Sequence, residues 1–207
     1  MLERLGCAAI AVDYGGVAGP GWYGGAAARI AAALPGDGPF MLALHSGAGA
    51  FAPSLAAALG KRAAGFLFVD ALLPHPGKCW LDTAPPALAM RLRKIVEHGV
   101  LPPWVDWFGP GVLDALVPDP ALRTAFSAEL PRLPFAYLEA VAPIDEVWET
   151  LPSAYLQLSE GYAAEAVEAA RRGWPLRRER LHHLAMLTHP DRLAPILAEM
   201  MQELASA

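Results

Sequence analysis

Residues 39–59 read PFMLALHSGAGAFAPSLAAAL, and this stretch decides the fold. An apolar strand over residues 40–44 runs into a sharp turn at His45-Ser46-Gly47, and a helix of small residues follows. A strand that passes directly into a helix exposes the residue at the turn. It projects at the carboxyl end of the sheet, beside the N–H groups that open the helix. That residue is Ser46. Gly47, Ala48 and Gly49 are small enough to let the helix start close against the strand. The arrangement is that of a nucleophile elbow, G-x-S-x-G, with Leu44 and Ala48 at its outer positions. On these residues alone, a serine in an ordinary strand-to-helix turn reads equally well.

Upstream, residues 7–12 are a continuous apolar run that suits a buried parallel strand. A Gly/Pro-rich loop and a helix over 22–34 follow it. Downstream of the elbow, GFLFV at 65–69 is a third strand ending at Asp70. Residues 154–158 are a fourth strand, 163–172 a helix, and 175–180 a short charged strand suited to a sheet edge. In the last helix Leu193, Ile196, Leu197, Met200 and Leu204 recur at helical spacing and predict one buried stripe. The alternation predicts an α/β fold. Its mainly parallel sheet of about five strands is flanked by helices, with a helical lid inserted between the third and fourth strands. Residues 1–71 and 153–207 form the core, and 72–152 the lid.

The insertion differs in character. From Pro85 onward it holds eleven of the chain's twenty prolines, and it carries Trp80, Trp104, Trp107 and Trp148. It breaks into short helical pieces with no strand. Its tryptophans are expected to line an apolar substrate pocket above Ser46, or to form the insertion's own small core, with different residues doing each.

Composition excludes several functions. The chain has 207 residues, a net charge of −5 and no basic stripe, so nucleic acid is not an expected partner. Hydrophobic residues reach 55%, but the excess is largely alanine. The least polar long stretch, residues 14–28, holds six glycines and Pro20, which no lipid-facing helix would carry, so no membrane is expected. Residues 7–12 have an acid on each side and do not read as a signal peptide. Cys7 and Cys79 lack motif spacing and read as reduced thiols of a cytoplasmic protein. His182, His183 and His189 have no carboxylate or thiol at ligand spacing, so neither metal nor cofactor is expected.

A nucleophilic serine needs a base within hydrogen-bond reach and a third group to orient it. His182 and His183 sit between the edge strand and the last helix, where a base belongs. His45 points the other way along its strand and reads as packing or as a support behind the site. His75 and His98 read as solvated residues of the insertion, and His189 as a surface residue.

With LHSGAG at 44–49, LFVDALLPHPG at 67–77 and HLAML at 183–187, nearly the whole chain resembles the α/β-hydrolase superfamily, in its esterase and hydroxynitrile-lyase-like branch. The resemblance implies Ser46 as nucleophile, His183 rather than His182 as base, and the Gly47 N–H as one oxyanion donor. The branch takes its acid after the strand that follows the lid, where this sequence offers Glu160. Asp70, the alternative, matches the place some superfamily lipases use, and Glu160 is slightly preferred. The chain is shortened at its N-terminus relative to the superfamily and lacks the glycine-rich loop that supplies the second donor. Gly15 or Gly16 takes that part if residues 7–12 pair with the strand at 40–44. The function implied is a small serine hydrolase cleaving an ester- or thioester-type bond of an apolar small molecule. The alternative is a non-hydrolytic relative, a cyclase, lyase, or binding or interaction subunit, using the same pocket. The exposed apolar edge at 7–12 predicts a homodimer or a partner chain covering it.

Overall fold

The computed structural model describes residues 1–13, 15, 21–109 and 111–206. Helix α1 (Trp22–Ala33) leads into β1 (Phe40–Ser46), a 3-10 turn (Gly47–Phe51), α2 (Ala52–Leu59) and β2 (Ala63–Ala71). After the insertion come β5 (Ser153–Gln157), α8 (Ala163–Arg171), β6 (Leu176–Arg178), α9 (Ala185–Thr188) and α10 (Pro190–Ala205). The strands form one parallel sheet in the order β1-β2-β5-β6.

β2 lies in the middle of the sheet, and its alternation sorts the core. Phe66 and Phe68 pack with Tyr23, Ala26 and Ala27 of α1, Leu55 and Ala56 of α2, and Ala166 and Ala169 of α8. Leu67 and Val69 face the opposite side, with Leu193, Ile196, Met200 and Leu204 of α10. The period of two in the strand and the helical stripe in α10 thus meet face to face. The charged β6 takes one edge.

The other edge corrects the sequence reading. Among the described residues, 7–12 form no strand, and Ile10 is 50% exposed. Among the described residues β1 is itself the edge strand and the sheet has four strands, where about five were expected. An apolar run carries the propensity for a strand, but a strand exists only with a neighbour to bond.

Between β2 and β5 lie α3 (Trp80–Thr83), α4 (Pro86–Ile95), α5 (Val112–Leu116), α6 (Pro120–Glu129) and α7 (Phe135–Glu139). Strands also occur here, contrary to expectation: β3 (Val100–Leu101) pairs antiparallel with β4 (Leu133–Pro134). Leu81, Leu92, Leu101, Trp107 and Leu138 give this segment a core of its own.

The elbow packs tightly against the end of β2. The Leu72 N–H donates to the Ser46 carbonyl at 3.0 Å. A Cβ at Gly49 would run into the Leu72 carbonyl oxygen and lie 3.2 Å from the Ala71 Cβ. Backbone atoms cannot yield as a side-chain tip can. Gly49→Ala is therefore expected to destabilise the protein by about 3 kcal/mol or more, the upper range for overpacking. Chemical denaturation checks this, and an unchanged midpoint contradicts it.

Candidate active site

Ser46 ends β1 with φ 57° and ψ −130°, a left-handed backbone that serine adopts only when its surroundings impose it. The strain lifts its side chain out of the sheet at the strand-to-helix turn. Asp70, near the end of the adjacent β2, also has a positive φ, 44°. The hydroxyl of Tyr155 clamps the next residue, accepting from the Ala71 N–H at 3.1 Å and donating to the Ala71 carbonyl at 2.7 Å. His183 lies in the loop between β6 and α9.

These three side chains form a linear hydrogen-bonded set. The Ser46 Oγ is 3.1 Å from His183 Nε2, and His183 Nδ1 is 2.8 Å from Asp70 Oδ2. Asp70 is fully buried. Its Oδ1 accepts from the Leu158 and Ser159 N–H groups, both at 2.9 Å, and its Oδ2 accepts from the Ser159 hydroxyl at 2.7 Å. Burial alone would raise this carboxyl. The bonds from His183, Ser159 and the two backbone N–H groups outweigh it and hold the group below the usual carboxylate range. A carboxylate so held keeps the proton of His183 on Nδ1 and leaves Nε2 free to accept from Ser46.

The imidazole of His183 lies between two rings. His45 is on one side, with centroids 4.4 Å apart and planes at 32°; Tyr162 stacks at 5.1 Å and 11°. The His45 Nε2–H donates to the His183 carbonyl at 3.0 Å. His45 does not point away from the site but packs on His183, the residue that touches Ser46, in keeping with its reading as packing or as a support behind the site. Burial, then the proximity of His183, lowers its pKa from 6.5 to about 4. Between those values the unfolded chain binds a proton that the folded protein refuses. Stability is therefore complete above pH 6.5 and falls as pH drops toward 4, by on the order of 3 kcal/mol. His45→Gln, which keeps a donor at the same place, is expected to lose less of its melting temperature between pH 7.5 and 4.5 than the parent protein. Parallel curves for the two contradict this.

No family model matches the sequence, and neither does any curated protein. Solved structures do match. An extracellular α/β-hydrolase from a Paenibacillus species, described as sharing structural and functional homology with tobacco salicylic acid binding protein 2, aligns with a TM-score of 0.78. Its identity is 17%, over 96% of this chain and 89% of that one. Tomato methylketone synthase I, in a variant complexed with β-ketoheptanoate, aligns at 0.67 with 13% identity, over 89% and 79%. A pyrethroid hydrolase from Sphingobium faniae aligns at 0.64 with 18% identity, over 94% and 82%. The chain has the α/β-hydrolase fold.

Within this α/β-hydrolase fold the remaining residues singled out from sequence scatter. Glu160 is exposed in the turn Glu160–Tyr162, and Asp70 instead bonds His183. Gly47 directly follows Ser46 and opens the 3-10 turn. Gly15 is exposed and its N–H already donates to Asp13 Oδ1 at 2.8 Å, which removes it as a free donor. Gly16 lies outside the described residues. Of the four tryptophans, Trp104 meets the site, its ring edge-on to His183 at 6.4 Å. Trp80 and Trp107 pack on each other in the insertion's core. Trp148 is buried in the main core against Phe68 and Trp174, with Arg172 over its ring. A bulky apolar side chain is drawn to whichever core is nearer, so bulk alone did not assign these residues. His75 is buried rather than solvated, its Nε2 3.1 Å from the Tyr23 hydroxyl. His182 and His189 flank the Thr188 hydroxyl at 2.8 Å each. No group of three His, Cys, Asp or Glu that could hold a metal occurs among the described residues.

Two tyrosines at the site carried no sequence signal. Tyr162 places its hydroxyl 3.2 Å from Ser46 Oγ. Tyr137 of α7 stacks on Phe51, and its hydroxyl is 3.5 Å from where a Cβ on Gly47 would stand.

Proposed function

We propose that the chain is a small serine hydrolase cleaving an ester- or thioester-type bond of an apolar small molecule. The observation that carries this reading is the unbroken path from Ser46 Oγ through His183 to Asp70, with contacts of 3.1 and 2.8 Å. Ser46 Oγ attacks the carbonyl carbon as its proton passes to His183 Nε2. The carbonyl π electrons move onto oxygen, which the Gly47 N–H stabilises. His183 returns the proton to the leaving group as its bond to carbon breaks, and water then releases the acyl group by the same path in reverse. Asp70 orients the imidazole and offsets its charge. Trp104 and Tyr137 supply an aromatic roof, so residues 72–152 serve as the lid over a core of 1–71 and 153–207. Two free, half-buried thiols suit a reducing compartment such as the cytoplasm.

A fluorophosphonate tests the reading, because it traps a serine activated in this way. The expected result is one adduct, on Ser46, together with turnover of short-chain esters. Folded protein that takes no adduct overturns the proposal.

One observation favours a second reading. With the Gly15 N–H engaged by Asp13, Gly47 is left as the oxyanion donor among the candidates that lie in the described residues. Losing one such donor costs roughly 10² to 10³ in rate. A lyase or cyclase step run by His183 in the same pocket would not need both. Conversion that survives Ser46→Ala but not substitution of Trp104 or Tyr137 selects this reading.

No strand among the described residues pairs with the outer edge of β1, which makes it the place we assign to a second copy of the chain or another partner. Light scattering at increasing concentration tests the homodimer.

A further inference from the structure

We infer that Tyr162 is a catalytic residue, whose hydroxyl donates a hydrogen bond on the leaving-group side of the tetrahedral intermediate. The inference rests on the hydrolase reading and deepens it. In the resting site Ser46 directs its own proton to His183 Nε2, so its Oγ accepts from the Tyr162 hydroxyl at 3.2 Å. Burial pushes the Tyr162 phenol above its ordinary range, and it stays a donor at any working pH.

Attack changes what that donor faces. One Oγ lone pair becomes the new bond to carbon, while the O–H pair stays on Oγ as its proton passes to His183. Oγ is then ether-like and a weaker acceptor, and the Tyr162 O–H turns to a stronger one. Two are at hand on the tetrahedral carbon: the former carbonyl oxygen and the leaving-group oxygen. The leaving-group oxygen is taken as the acceptor because the ring of Tyr162 stacks on the imidazole that delivers the proton to that oxygen, with centroids 5.1 Å apart. Tyr162 transfers no proton. It lends hydrogen-bond stabilisation to the departing oxygen while the His183 proton moves onto it and the carbon–oxygen bond breaks. Its ring face also lies against the imidazolium formed on the way, a favourable cation–π arrangement.

The loop that holds Tyr162 is fixed by the same carboxylate that orients His183. Leu158 and Ser159, just before the turn Glu160–Tyr162, make three hydrogen bonds to Asp70. Tyr162 is thus positioned with Asp70 as a reference, which lets a hydroxyl stay within reach of the reacting atoms.

The test compares Tyr162→Phe with the parent protein on ethyl and p-nitrophenyl esters of butyrate, read as kcat/KM, which reports acylation. Ethoxide leaves poorly and needs the hydrogen bond; p-nitrophenoxide does not. The expected fall is about 10²-fold for the ethyl ester and under fivefold for the p-nitrophenyl ester. Fluorophosphonate labelling of Ser46 in the variant shows that the site is intact. Equal falls for the two esters, or no fall, overturn the inference while leaving the hydrolase reading in place. A parent protein that neither takes the label nor turns over either ester overturns both.

Discussion

Ser46→Ala is expected to lower kcat/KM for any ester the protein cleaves by roughly 10⁶-fold and to remove the fluorophosphonate adduct. The backbone gives no reason for the fold to suffer. Alanine keeps the Cβ, the φ of 57° is imposed by the packing of the turn, and the serine hydroxyl bonds only His183 and Tyr162 among the described residues. The melting temperature should stay within a few degrees of the parent. His183→Ala should cost about as much in rate, and the double variant hardly more, because nucleophile and base act as a unit. Losses that multiply would separate the two residues mechanistically and contradict the proposed path.

The second large effect separates two carboxylates. Asp70→Asn is expected to reduce turnover about 10⁴-fold, and Glu160→Gln by less than twofold. The asparagine oxygen can still accept from the Leu158 and Ser159 N–H groups, so the loop after β5 should hold. Its amide nitrogen then faces His183 Nδ1, where a carboxylate oxygen had accepted at 2.8 Å. Two donors cannot share that contact. The imidazole must move its proton to Nε2, and a protonated Nε2 cannot take the proton of Ser46. The loss should fall on kcat rather than KM. Acid tolerance should change as well. The folded-state pKa of Asp70 is depressed, so its contribution to stability is present above the ordinary carboxylate range and is lost as pH falls through the lowered value. In Asp70→Asn the corresponding part of the acid-side stability loss should be absent. A large rate effect from Glu160→Gln instead would reinstate the other acid.

Local sequence carried the architecture where local pattern determines structure. Residues 40–44 and 65–69 are apolar runs bounded by turn residues, and both lie within strands, β1 and β2. The helical spacing from Leu193 to Leu204 is a buried stripe. The reading failed where the outcome depended on distant neighbours. Residues 7–12 have strand composition but pair with no strand among the described residues. The choice between Asp70 and Glu160 turned on which loop end approaches His183. That is set by β2 pairing with β5, not by either residue's own neighbours. His45 was assigned a direction from strand alternation, yet the register shifts between His45 and Ser46 as the chain enters the turn. Tyr137 and Tyr162 are ordinary tyrosines by sequence, and only the folded chain brings the first beside Gly47 and the second to Ser46 and His183.

The order in which the reactive groups occur along the chain has a consequence for biosynthesis. His183 follows Ser46 by 137 positions and Asp70 by 113. On the ribosome the strained serine and its neighbouring carboxylate emerge first, and the sheet cannot gain β5 until the long insertion has been translated. Throughout that interval the nascent polypeptide holds a serine without a proton acceptor. Under the proposed mechanism, products that terminate before position 183 would lack the base and take no fluorophosphonate label.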